Sequence, residues 1–199
     1  VSGANNNALG HGTMDALTSG NCNIALGMNA YGTAAAGGHN VAIGTTAMGG
    51  SLVTGANNIA IGENSADALI AGACNIALGI NAYGTAAAGG NNVAIGNTAM
   101  GGSLVVGGSN VAIGKNAMDA LLGGDYNIAM GENALGAATV ANDWVALGRG
   151  AGSGVTTGAA VDNIAIGRSA LAGAAGTSGN DNVAVGRSAA GSLTTGACN

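Results

Sequence analysis

The chain reads as an all-β repeat protein, a parallel β-roll or β-solenoid of about eleven coils with 17–19 residues in each. Three observations lead there. A pentapeptide typified by Asn23–Gly27 returns along the whole 199 residues, its glycine falling at Gly10, Gly27, Gly44, Gly62, Gly79, Gly96, Gly114, Gly131, Gly148, Gly167 and Gly186. So short and regular a period marks stacked coils, each touching only its neighbours. Every copy also alternates at period two, with bulky apolar residues on either side of an invariant Ala, as in Ile24-Ala25-Leu26, which is a strand pattern. Finally, 40 Gly, no Pro, no Phe and 2% aromatics leave a core of small aliphatics that is too thin for a globule.

Each position of the coil carries its own expectation. Both strand faces are apolar, one bulky and one all Ala, as expected of parallel strands buried on both sides. The Ala face, which leaves no room for a larger side chain, is expected to meet something packed very closely, such as another chain. Four residues before the glycine stands Asn, in Asn6, Asn23, Asn40, Asn58, Asn75, Asn92, Asn110, Asn127, Asn163 and Asn182, with Trp144 replacing it once. Stacked at one level per coil, these amides can form a ladder along the axis and cap the turn that enters the strand. The glycine itself suits a positive φ or crowded backbones at the strand end. Three residues further on, Ala or Ser followed by Met, Leu or Tyr suggests a second short strand returning over the first, closed by loops such as Gly37-Gly38 and Gly107-Gly108. Tyr31 and Tyr83 fall here, read as aromatic filler at a roll edge or as a sugar-contacting patch.

Residues 1–199 form one array, expected to be a segment of a longer fibre protein. A larger unit of three coils sits above the single coil, because Asp15, Asp67 and Asp119 lie 52 residues apart and each precedes Ala-Leu. Blocks at about 22–73 and 74–125 are near copies, while the coils at about 142–199 are longer and divergent.

Charge is sparse, with four basic and nine acidic residues, and the absence of a basic patch argues against a nucleic-acid partner. No uninterrupted apolar run reaches the length of a membrane-spanning helix, so membrane insertion is not expected. Lys115, Arg149, Arg168 and Arg187 each follow a motif glycine, and Asp143, Asp162 and Asp181 each stand five residues before one. Columns of like charge at ~4.8 Å repel unless neutralised. The expectation is that Arg149, Arg168 and Arg187 of one chain pair with Asp143, Asp162 and Asp181 of the next; a solvated charged stripe is the alternative. Cys22 and Cys74 share a column three coils apart, ~14 Å, beyond disulfide reach, and are expected to be free thiols. His11 and His39 have no ligand partners at metal spacing, and no phosphate loop, calcium-binding nonapeptide or set of acid, base and nucleophile is present. No catalytic, cofactor-binding or metal residue is assigned, and none is singled out for a receptor.

The segments Asn110–Met118 (NVAIGKNAM), Asn127–Leu135 (NIAMGENAL) and Asn163–Leu171 (NIAIGRSAL) resemble the NTAxGxxAL repeats of bacteriophage tail fibres, and their VAIGxxA core resembles the head repeats of trimeric autotransporter adhesins. The resemblance covers nearly the whole chain. It implies a homotrimer of left-handed parallel β-rolls, a stiff rod of the virion, ~53 Å long for eleven coils. Such a rod carries or forms a surface that binds a host glycan or protein. The autotransporter alternative places an adhesin head on the bacterial outer surface. A monomeric solenoid that binds a repetitive surface such as ice is a more remote alternative, since Thr45, Thr46 and Thr98 form no regular array.

Overall fold

The computed structural model describes all residues except 1–2, 34–35, 87, 156–160, 174–178, 194–195 and 197. Eleven three-residue strands, β1 (Asn7–Leu9), β2 (Ile24–Leu26), β3 (Val41–Ile43), β4 (Ile59–Ile61), β5 (Ile76–Leu78), β6 (Val93–Ile95), β7 (Val111–Ile113), β8 (Ile128–Met130), β9 (Val145–Leu147), β10 (Ile164–Ile166) and β11 (Val183–Val185), form one parallel sheet in chain order. The register follows the sequence repeat without slip, so each strand Ala lies beside the next, from Ala8 opposite Ala25 to Ala165 opposite Ala184. The result is a β-solenoid of about ten turns, with no helix among the described residues.

The Ala face points into the coil rather than toward another chain. Ala25, Ala42, Ala60 and their equivalents through Ala165 are sealed at 0–1% exposure, whereas Ile24 and Leu26 stand outward at 38% and 37%. Geometry explains this reversal of the sequence expectation. Within one short coil the returning chain passes so near the strand that only a methyl fits between them, and the branched side chains are turned out despite being apolar.

No second strand forms. The segment after each motif glycine is a turn in which residues of left-handed φ alternate with ordinary ones, as at Asn29 (φ 55°) and Tyr31 (φ 53°) around Ala30. Its amides bond in both axial directions, Asn29 N–H to His11 O at 2.8 Å and Tyr31 N–H to Ala47 O at 2.9 Å. This alternation also turns large side chains inward. Met48, Met100, Met118, Leu135 and Leu171, all left-handed, are fully buried against the Ala column, with Leu69, Leu121, Val53 and Val105 completing the core.

The motif glycines have φ between 126° and 140°. A Cβ on Gly27 would lie 2.6 Å from the carbonyl oxygen of Gly44 in the next coil. Glycine is thus required twice over, by dihedral angle and by axial crowding.

Candidate functional site

The Asn column is internal. Asn92, Asn110 and Asn127 are fully buried. Each side chain joins three coils. In the middle of the rod, Asn110 Oδ1 accepts from the backbone N–H of Asn127 at 3.0 Å and from Asn127 Nδ2 at 2.9 Å, while Asn110 Nδ2 donates to Gly124 O at 2.8 Å. Asn23, Asn40, Asn58, Asn75, Asn163 and Asn182 do the equivalent work in their own coils. The sequence places an amide here because only an amide both accepts from the next coil and donates to the carbonyl of the closing loop.

Tyr31 and Tyr83 belong to this network, not to a roll edge or a surface patch. Both are fully buried, and Tyr31 Oη donates to Gly37 O at 2.8 Å while accepting from Asn40 Nδ2 at 2.8 Å. Tyr83 repeats the arrangement with Gly89 and Asn92. Burial pushes the Tyr31 phenol up to about 12, against the lowering effect of the Asn40 bond, and raises that of Tyr83 as well. Trp144 occupies the Asn position in β9's coil. It is buried at 0%, and the residue eight positions later, where other coils carry Met or Leu, is Gly152. A Cβ on Gly152 would sit 3.3 Å from Trp144 Cζ3 and 2.7 Å from Leu135 Cδ2, so the indole fills the space that the missing side chain vacates.

Five residues before each motif glycine the chain takes an exposed left-handed corner. Asp143, Asp162 and Asp181 (φ 56–57°) sit there, as do Cys22, Cys74 and His39. Asp, Asn and His tolerate this conformation better than most residues, which gives the Asp column a local reason beside any partner. Arg149, Arg168 and Arg187 are exposed at the other end of the strands. Cys22, Cys74 and Cys198 are exposed free thiols, and His11 is exposed.

Two surfaces remain for function. The first is the outward face of the sheet, two parallel columns of Ile, Val, Leu and Met from β2 to β11, with Ile59, Ile61, Ile128 and Met130 at 37–43% exposure. At ~4.8 Å per strand it is a strip ~48 Å long and about 10 Å wide. An apolar patch of ~480 Å² is at the upper end for a monomer surface.

The second is a pair of polar clefts on the turn side. One, of about 380 Å³, spans three successive coils and is lined by Asn64, Asp67, Asn81, Gly84, Thr98 and Gly101, with Thr85 at its rim. The other, of about 360 Å³, is its counterpart 52 residues earlier, at Asp15, Asn29, Gly32, Thr33, Thr46 and Gly49. The three-coil period makes them. Down one column the residues read Asp15, Gly32, Gly49, Asp67, Gly84, Gly101, so every Asp is followed by two coils without a side chain. After Asp119 the pattern changes to Gly136 and Ser153, and Ala137 replaces the rim Thr. Burial raises the Asp67 carboxyl above its ordinary range against the lowering effect of the Gly50 and Gly49 amides, and Asp67 Oδ1 has no hydrogen-bond partner. The same holds for Asp119 Oδ1. Among the described residues no three His, Cys, Asp or Glu side chains gather as a metal site.

Comparison with family models, with curated proteins and with solved structures finds no match to this chain.

Proposed function

We propose that the chain is a structural and attachment module, one strand of a homotrimeric, left-handed β-roll fibre that carries a host-binding surface, in keeping with the resemblance of its repeats to bacteriophage tail fibres. The outward apolar face carries this reading. Parallel sheets occur almost only with both faces covered, and here the interior covers one face while Ile, Val and Leu stand exposed on the other. A second copy is the natural cover, because it presents the same columns at the same axial pitch and every ridge finds a matching groove along the rod. Packing of three such faces gives each coil the core that Ala alone does not supply.

In that assembly the exposed Arg149, Arg168 and Arg187 of one chain lie against Asp143, Asp162 and Asp181 of its neighbour. A bacterial adhesin head is the second reading, favoured by the Val-Ala-Ile-Gly cores at Val41–Gly44, Val93–Gly96 and Val111–Gly114. Changing the outward Ile61 and Ile95 to Lys tests the face. The expected result is a dissociated chain that keeps its coil spectrum, and an unchanged oligomer refutes the assignment. Arg168→Ala tests the charge columns separately, with looser association at elevated temperature as the expected result and unaltered association as the contrary one.

A further inference from the structure

The two polar clefts have no part in holding the coil together, yet they recur with the same seven positions and nearly the same volume. Their size falls in the range of small-ligand clefts, about 300–1,000 Å³. We propose that the clefts at Asp67 and Asp15 are equivalent subsites for neutral sugar units of a repetitive glycan, which names the receptor class within the attachment function proposed above and rests on it.

The lining chemistry selects the ligand. Asn64 and Asn81 present amides that both donate and accept, Thr98 presents a hydroxyl, and Asp67 supplies a charged acceptor. Sugar hydroxyls are donors and acceptors at once, and a carboxylate accepting from an O–H makes the stronger, charge-assisted kind of bond. Anionic ligands are disfavoured by the Asp carboxylate and by the net charge of −5, and no Lys or Arg lines either cleft. A bound cation would need more than the single carboxylate each cleft offers.

Backbone geometry keeps the clefts open. Gly84 and Gly101 form the floor beneath Asp67, and a methyl on Gly84 would reach 3.1 Å from Asn81 O and 3.4 Å from Asn64 O. The carboxyl group is held at a cost, since it is partly desolvated and one of its oxygens is unpartnered. Structural side chains in this protein are otherwise fully bonded, as the Asn column shows, so a repeated carboxylate that weakens the coil points to a ligand. The two clefts lie three coils apart, ~14 Å along the axis. No aromatic ring lines either one, so each subsite is weak alone and a polymer lying along the rod gains by engaging both.

The test titrates the intact chain with N-acetylglucosamine, glucose, galactose and their β-linked oligomers, and separately with calcium chloride, following backbone amide resonances. The expected result is shifts at Gly84, Thr85 and Gly101 and matching shifts at Gly32, Thr33 and Gly49, with oligomers tighter than monosaccharides. Asp67→Asn should weaken the first set about tenfold, the loss of one charge-assisted bond, and leave the second unchanged. Gly84→Ala, which fills the floor, should act in the same way. Absence of shifts with every sugar, shifts outside the clefts, or the same shifts with calcium alone overturns the assignment. Adsorption to cells by a chain whose clefts ignore the sugars sinks the clefts and leaves the attachment reading standing. Sugar binding by a chain that stays monomeric and does not adsorb does the reverse.

Discussion

Removing one amide from the middle of the column measures what holds coil to coil. In Asn110→Ala three side-chain hydrogen bonds disappear, from Nδ2 to Gly124 O at 2.8 Å and from Asn127 N–H and Nδ2 to Oδ1 at 3.0 and 2.9 Å. Asn127 Nδ2 keeps Ala141 O, but the buried Asn127 N–H is left with no acceptor. Three bonds at about 1 kcal/mol each, with about 1–2 kcal/mol more for the stranded amide, give a loss of about 3–5 kcal/mol. For a chain of this length that corresponds to a fall in Tm of about 6–20 °C. Thermal unfolding followed by circular dichroism reads the total, and amide hydrogen exchange locates it at Asn127 and its neighbours. Asn110→Asp separates hydrogen bonding from volume. At neutral pH its buried carboxylate faces Gly124 O and cannot donate, so it is at least as damaging as Ala. Its folded pKa lies above the unfolded value near 3.9, so the damage lessens as pH falls through the folded pKa, where the protonated group donates again. A loss below about 1 kcal/mol in Asn110→Ala, or an Asn110→Asp defect that acid does not relieve, refutes the ladder as a source of cohesion.

Three other outcomes follow from the same structure. Gly152→Met should destabilise by about 2–4 kcal/mol through its clash with Trp144 and Leu135, and Trp144→Asn in the same chain should recover more than about 1 kcal/mol of that, a coupling read by a double-mutant cycle. Because the folded Asp67 carboxyl titrates above its unfolded value, its charge weakens the coil at neutral pH and the penalty fades as pH falls toward 3.8; Asp67→Asn should therefore raise Tm at pH 7 and lose that advantage in acid. Tyr31 and Tyr83 titrate above the ordinary phenol value of 10.0, so stability should be constant below pH 10 and decline above it, and Tyr31→Phe with Tyr83→Phe should flatten that decline in an alkaline unfolding series.

The parallel solenoid was legible because period and alternation are properties of the backbone stack itself. Asn23, Ala25 and Gly27 are each dictated by one physical demand repeated at every level. Orientation was harder to read. Ile24-Ala25-Leu26 alternates identically whether Ala faces in or out, and only the closeness of the returning turn decides that methyls go inward. The turn was misread as a strand because Tyr31, Met48 and Leu135 are unusual residues for left-handed φ, and nothing in their chemistry announces it. Their regular occurrence four residues after the glycine was the available signal. The clefts were latent in the spacing of Asp15, Asp67 and Asp119, but the spacing becomes a cavity only once Gly32, Gly49, Gly84 and Gly101 are stacked over the same column. The Gly152 and Trp144 exchange was visible only as two unrelated irregularities until the core brought them into contact.

Whether the outward sheet face is covered by other copies of the chain is decided by mass in solution, from light scattering coupled to size exclusion. Three packed faces require three times 18.4 kDa, about 55 kDa, independent of dilution over the working range. A stable species at 18.4 kDa would leave the solenoid intact but its apolar strip uncovered, and would contradict the fibre.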